Sequence, residues 1–231
     1  MKNFLKLPQA EIFFSGLHDE EILLAAGGKP PAGFWFKEVA ADKKIWAIDK
    51  GLEICQNCGI LPEFLIGDFD SAKNSSVRQA ENAGIKIERQ PVEKDFTDTE
   101  LALIRAEECG KDFAVLTGAF GGRADHFYNL LFVCAAANLK ICIADEREIL
   151  FFITGKDFAE VNFFQKPLAV SLLPIDEICG GVNLTGVRWE LHDKKIFRNK
   201  SLSISNRPTS DKIKISVATG TLAVYFCFAE N

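Results

Sequence analysis

A glycine-rich stretch at residues 115–126, VLTGAFGGRADH, decides the fold of the first part of the chain. Its apolar start predicts a buried strand, its glycines predict a loop, and Ala124 begins a helical pattern. Such a loop brings backbone N–H groups to a helix N-terminus, where they can bind an anion, and Arg123 adds a guanidinium fork for phosphate oxygens. The spacing is that of neither a P-loop nor a dinucleotide fingerprint, so a tight structural connection stays open for this stretch alone.

Short apolar runs alternate with helical patterns as far as residue 144, which is typical of an α/β domain with a mostly parallel sheet. The predicted strands there are residues 22–25, 45–48, 64–66, 85–87, 113–116 and 141–143, and the predicted helices are 50–58, 72–83, 98–109 and 124–138. Beyond residue 148 the runs are closely spaced and rich in β-branched and aromatic residues, with turn residues such as Gly180 and Gly181 between them. These runs are residues 149–153, 168–173, 186–191, 201–205, 212–217 and 221–228.

We therefore predict an α/β fold with two domains. The first is a Rossmann-like domain with a mostly parallel sheet at residues 1–147, and the second is an antiparallel β-sandwich at residues 148–231.

Composition excludes several classes of protein. The 231 residues carry a net charge of −5, which argues against a protein that mainly binds nucleic acid or an anionic membrane surface. No apolar run approaches the ~18 residues of a membrane span, so we expect a cytoplasmic protein. The seven cysteines are scattered, which disfavours a disulfide scaffold. Cys55 and Cys58 form a C-x-x-C, which fits a redox pair, half a zinc site or two cysteines on one helix.

Two carboxylates follow a predicted strand in residues 66–71, IGDFDS. Residues i and i+2 of an extended segment point the same way, so Asp68 and Asp70 converge on one position. Mg²⁺ takes one or two protein carboxylates and completes its octahedron with phosphate oxygens and water. A turn in which the aspartates cap Ser71 and the next helix explains the same residues equally well.

A second acidic cluster, KDFTDTE at residues 94–100, precedes a helical pattern. Thr97 and Glu100 form a T-x-x-E capping box, which predicts a helix start at Asp98. Capping does not fully account for Asp95 and Asp98. The partial positive charge of a helix N-terminus keeps a first-turn aspartate ionised, and an ionised oxygen ligand is what a magnesium site requires.

Four polar segments each follow a separate predicted strand: Asp49, the Asp68 and Asp70 pair, the acids of residues 94–98, and the loop of residues 118–126. Open α/β sheets bind ligands outside the carboxyl ends of their strands. We therefore expect the four loops to meet in one crevice, and their chemistry indicates phosphate transfer assisted by a divalent cation.

The motifs G-D-x-D-S, D-x-T-D and G-x-x-G-G-R-x-D-H occur in this order at residues 67–71, 95–98 and 118–126. In them the chain resembles the thiamine pyrophosphokinases, which implies transfer of a pyrophosphoryl group from ATP to thiamine with AMP leaving. The resemblance implies that Asp68, Asp70 and Asp98 hold Mg²⁺ and that Asp49, Asp70 and Asp98 are the catalytic carboxylates. The nucleotide contacts that it implies are Asp95, Thr97, Gly118, Gly121, Gly122, Arg123, Asp125 and His126.

The resemblance extends to GGKP at residues 27–30, TGVRWEL at residues 185–191 and SISN at residues 203–206. It implies a homodimer that holds thiamine at the subunit interface, between the catalytic domain of one chain and the β-sandwich of the other. Trp189, Ser205 and Asn206 are then candidates for the substrate wall, although core packing and an ordinary turn explain the same residues without a substrate.

The chain departs from the family pattern at two places. Lys50 stands where the family commonly has a glycine, so it either contacts a phosphate or points to solvent. Residues 221–228 lack the tryptophan that eukaryotic relatives place against thiamine. Two other functions stay open: another magnesium-dependent transferase with a D-x-D loop and a nucleotide donor, and a non-catalytic thiamine or nucleotide sensor.

Overall fold

The computed structural model describes residues 2–69, 74–91 and 95–229, and the chain divides into two compact units. The central unit runs from Asp19 to Asp145. The terminal unit combines the segment up to His18 with the segment from Glu146 onward. None of the helices in the described ranges is long and apolar enough to cross a membrane.

The chain begins with two strands, β1 (Lys2–Leu7) and β2 (Ala10–His18). The central unit alternates strands and helices, in the order β3 (Glu21–Ala25), α1 (Gly33–Ala40), β4 (Lys44–Ile48), α2 (Gly51–Asn57), β5 (Phe64–Gly67), α3 (Asn74–Asn82), β6 (Lys86–Arg89), α4 (Asp98–Glu108), β7 (Phe113–Thr117), α5 (Ala124–Ala136) and β8 (Lys140–Ala144). Seven strands follow: β9 (Glu148–Thr154), β10 (Asp157–Phe163), β11 (Ala169–Pro174), β12 (Ile178–Thr185), β13 (Leu191–Phe197), β14 (Lys212–Val217) and β15 (Thr221–Cys227).

The central strands pair in the order β8–β7–β3–β4–β5–β6, and each of these pairs is parallel. Strand β7 is buried along its whole length, as expected for a parallel strand covered on both faces. The chain runs outward from β3 through β4 and β5 to β6, and then returns to the other side of β3 with β7. The order therefore reverses between β3 and β7, which is where open α/β sheets leave a crevice.

Local chemistry explains where helix α4 begins. The Thr97 hydroxyl accepts a hydrogen bond from the Glu100 N–H at 3.2 Å, which confirms the predicted N-cap. Asp98 and Glu100 lie in the first turn, where their charges favour the helix dipole. The apolar face of the helix is buried and contributes Leu103 to the core. Helix α4 thus begins where the sequence predicted, at Asp98.

The terminal unit contains only antiparallel strand pairs among the pairings described within it. Six strands pair in the order β1–β2–β10–β14–β12–β13, and three others in the order β11–β15–β9. Aromatic side chains connect the two groups: the Phe14 and Phe151 ring centroids are 5.5 Å apart, and those of Phe163 and Phe226 are 5.2 Å apart. The chain as a whole has an α/β fold with both parallel and antiparallel pairing.

The first eighteen residues lie in a different unit from the one that the sequence predicted. We had assigned them to the first domain, residues 1–147, but β2 pairs with β10 of the terminal unit and aligns Ala10 with Phe163. No local pattern reports such a pairing, because its partners are far apart in the sequence.

Several predicted elements of the terminal unit were also wrong. Residues 186–190 and 201–205 are loops rather than strands, and strands β10 and β13 lie where we predicted none. Gly180 and Gly181, taken as a turn, lie inside β12, whose register shifts between Cys179 and Val182. A β-bulge admits a glycine with positive φ inside a strand, and Gly181 has a φ of 64°.

Candidate active site at the ends of the central strands

A cleft of about 770 Å³ lies at the carboxyl ends of β3, β4, β5 and β7, and the start of α4 closes one side of it. It therefore occupies the place where the strand order reverses. The predicted site residues that line it are Asp49, Asp68, Thr97, Asp98, Gly118, Gly122, Arg123 and His126. The four loops expected to meet from their positions after separate strands do meet.

Two glycine loops interlock beneath the cleft. The Gly28 N–H donates to the Gly118 carbonyl oxygen at 2.7 Å, and a Cβ atom at Gly28 would lie only 2.4 Å from that oxygen. Gly118 has a φ of +67°, and a Cβ there would lie 2.3 Å from the Ala26 carbonyl oxygen. Only glycine fits such close backbone contacts. The loop after β3 and the loop after β7 thus form one continuous backbone surface.

The acids of the cleft come from three elements. Asp49 follows β4, and its N–H donates to the Ile66 carbonyl oxygen on β5 at 3.0 Å, which brings it beside Gly67 and Asp68. Its φ of 49° is unusual for a residue other than glycine, and such backbone strain is concentrated at functional sites. Asp98 enters from the first turn of α4. Carboxylates of different elements therefore share one wall.

No three acidic, histidine or cysteine side chains within residues 2–69, 74–91 and 95–229 are grouped closely enough to hold a metal ion by themselves. Asp70, predicted as both a metal ligand and a catalytic carboxylate, lies outside the described residues. The described part of the site therefore supplies Asp68 and Asp98 as carboxylate donors on the cleft wall.

Arg123 and Asp125 form a two-pronged ion pair at the start of α5. The Arg123 Nε donates to Asp125 Oδ1 at 3.1 Å, and Nη2 donates to Oδ2 at 2.6 Å. Hydrogen bonding to Arg123 lowers the pKa of the Asp125 carboxyl, although both side chains are exposed. Arg123 lines the cleft, and its paired contact with Asp125 fixes the direction of the guanidinium.

Some predicted residues lie elsewhere. Asp95, Gly121 and Asp125 are not part of the cleft wall. Gly121 instead packs against the aliphatic chain of Lys29, which would lie 3.0 Å from a Cβ at that position. Residues without a predicted role also line the cleft, and these are Ala26, Gly27, Gly28, Ile48, Phe96, Thr99, Ala119, Phe127, Asn129 and Leu130. Among these the glycine pair carried a sequence signal, as part of the stretch GGKP. Lys50 also lines the cleft, and the sequence had left it between a phosphate contact and a solvent-facing position.

The three predicted substrate residues lie on two loops of the terminal unit. Asn206 is 2% exposed, and its side-chain amide forms hydrogen bonds with both the N–H and the carbonyl oxygen of Trp189. Trp189 is 55% exposed, and the Arg188 guanidinium lies 4.9 Å from the centroid of its ring. Ser205 has a φ of 56°, and its N–H donates to the Ser171 hydroxyl at 3.0 Å. The loops are therefore joined by side-chain-to-backbone hydrogen bonds.

Both parts of the chain match models of one protein family. Residues 36–143 match the catalytic domain of thiamin pyrophosphokinase, and residues 164–222 match its vitamin B1 binding domain. A thiamine pyrophosphokinase of Bacillus subtilis is 33% identical over 183 residues, which are 77% of this chain and 85% of that protein. The chain belongs to the thiamine pyrophosphokinase family. It is accordingly an ATP-using kinase of thiamine diphosphate biosynthesis.

Solved structures of thiamine pyrophosphokinases have the same fold. The crystal structure of the Bacillus subtilis enzyme superposes on this chain with a TM-score of 0.80 at 25% sequence identity. The superposition covers 91% of this chain and 100% of the Bacillus subtilis chain. The enzyme of Geobacillus thermodenitrificans superposes with a TM-score of 0.77 at 26% identity, covering 91% of this chain and 99% of the Geobacillus chain. The cleft residues from Ile48 onward fall within the catalytic-domain match, and the Trp189 and Asn206 loops fall within the vitamin B1 match.

Proposed function

We propose that this thiamine pyrophosphokinase transfers the β,γ-pyrophosphoryl group of ATP to the hydroxyethyl arm of thiamine, with Mg²⁺ bound in the central cleft. The thiamine hydroxyl oxygen forms a bond to the β-phosphorus, the bond from that phosphorus to the α–β bridging oxygen breaks, and AMP leaves. The observation that carries the proposal is the meeting of Asp49, Asp68 and Asp98 with the interlocked glycine loops and Arg123. Such a reaction depends mainly on positioning and charge neutralisation.

The donor set of the cleft suits magnesium. Mg²⁺ takes one or two protein carboxylates together with phosphate oxygens and water, so it does not need a cluster of three protein ligands. Asp68 and Asp98 would hold it, together with Asp70 of the predicted set. When bound, the ion supplies positive charge that neutralises the phosphate oxygens during transfer.

The glycine loops and Arg123 would bind the nucleotide. Gly118, Gly121 and Gly122 carry no side chain, so backbone N–H groups of this loop would approach the phosphates closely, and the guanidinium of Arg123 would form paired hydrogen bonds to phosphate oxygens. His126 and Thr97 line the same cleft. Among the residues away from its wall, Asp125 contributes by orienting Arg123, and Asp95 and Gly121 keep only their predicted role as nucleotide contacts.

A carboxylate of the cleft would accept the proton of the attacking hydroxyl. Asp98 and Asp70 are the two candidates, with Asp49 completing the acidic group. A carboxylate that also holds a metal is a weaker base, so whichever of these two accepts the proton would leave the other, together with Asp68, to hold Mg²⁺.

The terminal unit would bind thiamine as a β-sandwich. The Phe14–Phe151 and Phe163–Phe226 contacts support face-to-face packing of its two strand groups. We propose that Trp189 and Ser205 form the substrate wall in a homodimer, with the Rossmann-like central unit of the other chain completing the site. The cytoplasmic location expected from the sequence stays a prediction.

Product analysis tests the proposal. Incubation with ATP, Mg²⁺ and thiamine should yield AMP and thiamine pyrophosphate in equal amounts. ADP as the main product would indicate single phosphoryl transfer, and inorganic pyrophosphate would indicate nucleotidyl transfer; either result would contradict the proposal. EDTA should abolish turnover, and excess Mg²⁺ should restore it. The Asp98→Asn variant should fold normally and lose turnover, because the amide cannot replace an ionised ligand.

A further inference from the structure

Lys50 belongs to the cleft but has no role in the proposed chemistry so far. It directly follows Asp49 and comes immediately before helix α2, with its backbone in an ordinary right-handed conformation. A Cβ at Gly27 would lie 2.8 Å from the Lys50 Cβ, so the lysine side chain starts directly over the loop that ends β3. The position is thus held by close backbone packing, and the side chain extends from the cleft wall.

The two cations of the cleft wall differ in their partners. Arg123 is engaged by both carboxylate oxygens of Asp125. Lys50 takes part in none of the ion pairs formed within residues 2–69, 74–91 and 95–229. No carboxylate of the described residues therefore neutralises its ammonium charge, although Asp49 is the preceding residue. An anionic ligand entering the cleft would find this charge available.

Strand order places the loops that carry the two cations on opposite sides of the Gly27–Gly28 loop. Arg123 follows β7 and Lys50 follows β4, while Gly27 and Gly28 follow β3, which lies between them. Neighbouring strands lie about 4.8 Å apart, so the two loops begin roughly 10 Å from each other. Asp68 follows β5, the strand next to β4. Lys50 therefore lies on the same side as the acids proposed to hold Mg²⁺.

We infer that the Lys50 ammonium binds the β,γ-phosphate end of the nucleotide, which is the group transferred. Arg123 binds the nucleotide from the other side of the Gly27–Gly28 loop. The inference rests on the proposed function, since it places ATP in this cleft. Asp68 and Asp98 would hold Mg²⁺, whose positive charge would attract the transferred phosphates to the acidic side of the cleft, where Lys50 lies. Lys50 would then distinguish ATP from AMP by charge.

Equilibrium binding without thiamine tests this role. In the Lys50→Met variant the dissociation constant for ATP with Mg²⁺, measured by titration calorimetry, should rise about tenfold, as expected for loss of one charge-assisted hydrogen bond. The dissociation constant of this variant for AMP should stay within about twofold of that of the unmodified protein, because AMP lacks the β- and γ-phosphates. In Lys50→Arg, which keeps the charge, the dissociation constant for ATP should stay within about threefold of that of the unmodified protein. The rise in the ATP constant with added KCl should be less steep in Lys50→Met.

Lys44→Met is the matched control. Lys44 begins the same strand, β4, at its opposite end, and it is exposed. Its removal changes the net charge equally but leaves the cleft intact, so ATP binding should not change. The inference would be overturned if the dissociation constant for ATP were unchanged in Lys50→Met. It would also be overturned if that variant lost affinity for ATP and AMP equally, or if Lys44→Met lost as much affinity for ATP as Lys50→Met. Failure of the proposed function has a different signature, because it appears in the products formed by the unmodified enzyme.

Discussion

The side chain of Asn206 holds the backbone of Trp189 by both of its polar groups. The Trp189 N–H donates to Asn206 Oδ1 at 3.1 Å, and Asn206 Nδ2 donates to the Trp189 carbonyl oxygen at 2.7 Å. The same Oδ1 accepts from the Arg207 N–H at 2.9 Å, and the Asn206 backbone forms an isolated bridge with Val170. The amide is thus committed to protein groups, which indicates that Asn206 shapes the substrate wall through Trp189.

Replacing Asn206 with alanine should lower the free energy of unfolding by about 2–3 kcal/mol, because it removes a buried amide and leaves the part-buried backbone groups of Trp189 without their side-chain partner. Urea denaturation followed by tryptophan fluorescence measures this. The KM for thiamine should rise more than the KM for ATP, since the affected loop lies in the vitamin B1 match. The half-buried Asn162 on β10 provides the control, and Asn162→Ala should change both quantities little. Equal stability of the two variants would contradict the role of Asn206.

Gly28→Ala should destabilise the central unit by about 3 kcal/mol, because the new methyl group would lie 2.4 Å from the Gly118 carbonyl oxygen. Gly122→Ala is the matched comparison, since Gly122 also lines the cleft but no atom lies within 4 Å of its Cβ position. Its stability should stay within about 0.5 kcal/mol of the unmodified protein. Thermal and urea unfolding of both variants measure the difference, and similar losses would contradict the interlocked loops.

Thr97→Ala should cost about 1 kcal/mol of stability, because it removes the hydroxyl that accepts the Glu100 N–H at the start of α4. Thr97→Ser keeps the hydroxyl and should retain most of the stability. Urea denaturation compares the two variants. A loss in Thr97→Ser as large as that in Thr97→Ala would show that packing of the threonine methyl group, rather than capping, stabilises this helix start.

Cys55 should resist alkylation at pH 8. Burial raises the pKa of its thiol to about 12, so the reactive thiolate forms only as the pH approaches that value. The exposed Cys109 serves as the internal reference and should be labelled first by iodoacetamide. Mass spectrometry of the labelled peptides measures the order. Labelling of Cys55 as fast as Cys109 in the folded protein would support the redox interpretation of the C-x-x-C.

Much of the central unit could be predicted from local patterns. The apolar runs that became β3, β4 and β7 are buried parallel strands, and such strands are apolar along their length because both faces are covered. The N-cap at Thr97 depends on residues three apart in sequence. The meeting of the loops followed from strand order, since the carboxyl ends of parallel strands share one edge of the sheet.

The terminal unit was less predictable because its pairings join distant segments. Strand β1 and strand β2 carry no sign in their own sequence that β2 pairs with β10, more than a hundred residues away. The pair Gly180 and Gly181 is equally compatible with a turn or a bulge, and only the partner strands of β12 select the bulge.

The sequence by itself determined the family, the order of strands and helices in the central unit, and several of the acids and glycines around its cleft, namely Asp49, Asp68, Asp98, Gly118 and Gly122. Tertiary structure alone decided that Asp125 pairs with Arg123, that Asn206 hydrogen-bonds to the backbone of Trp189, and that Lys50 lines the cleft without an ion pair among the described residues. The reason is physical: motifs and periodicity record which residues follow which strand, whereas burial and hydrogen-bond partners depend on segments that meet only after folding.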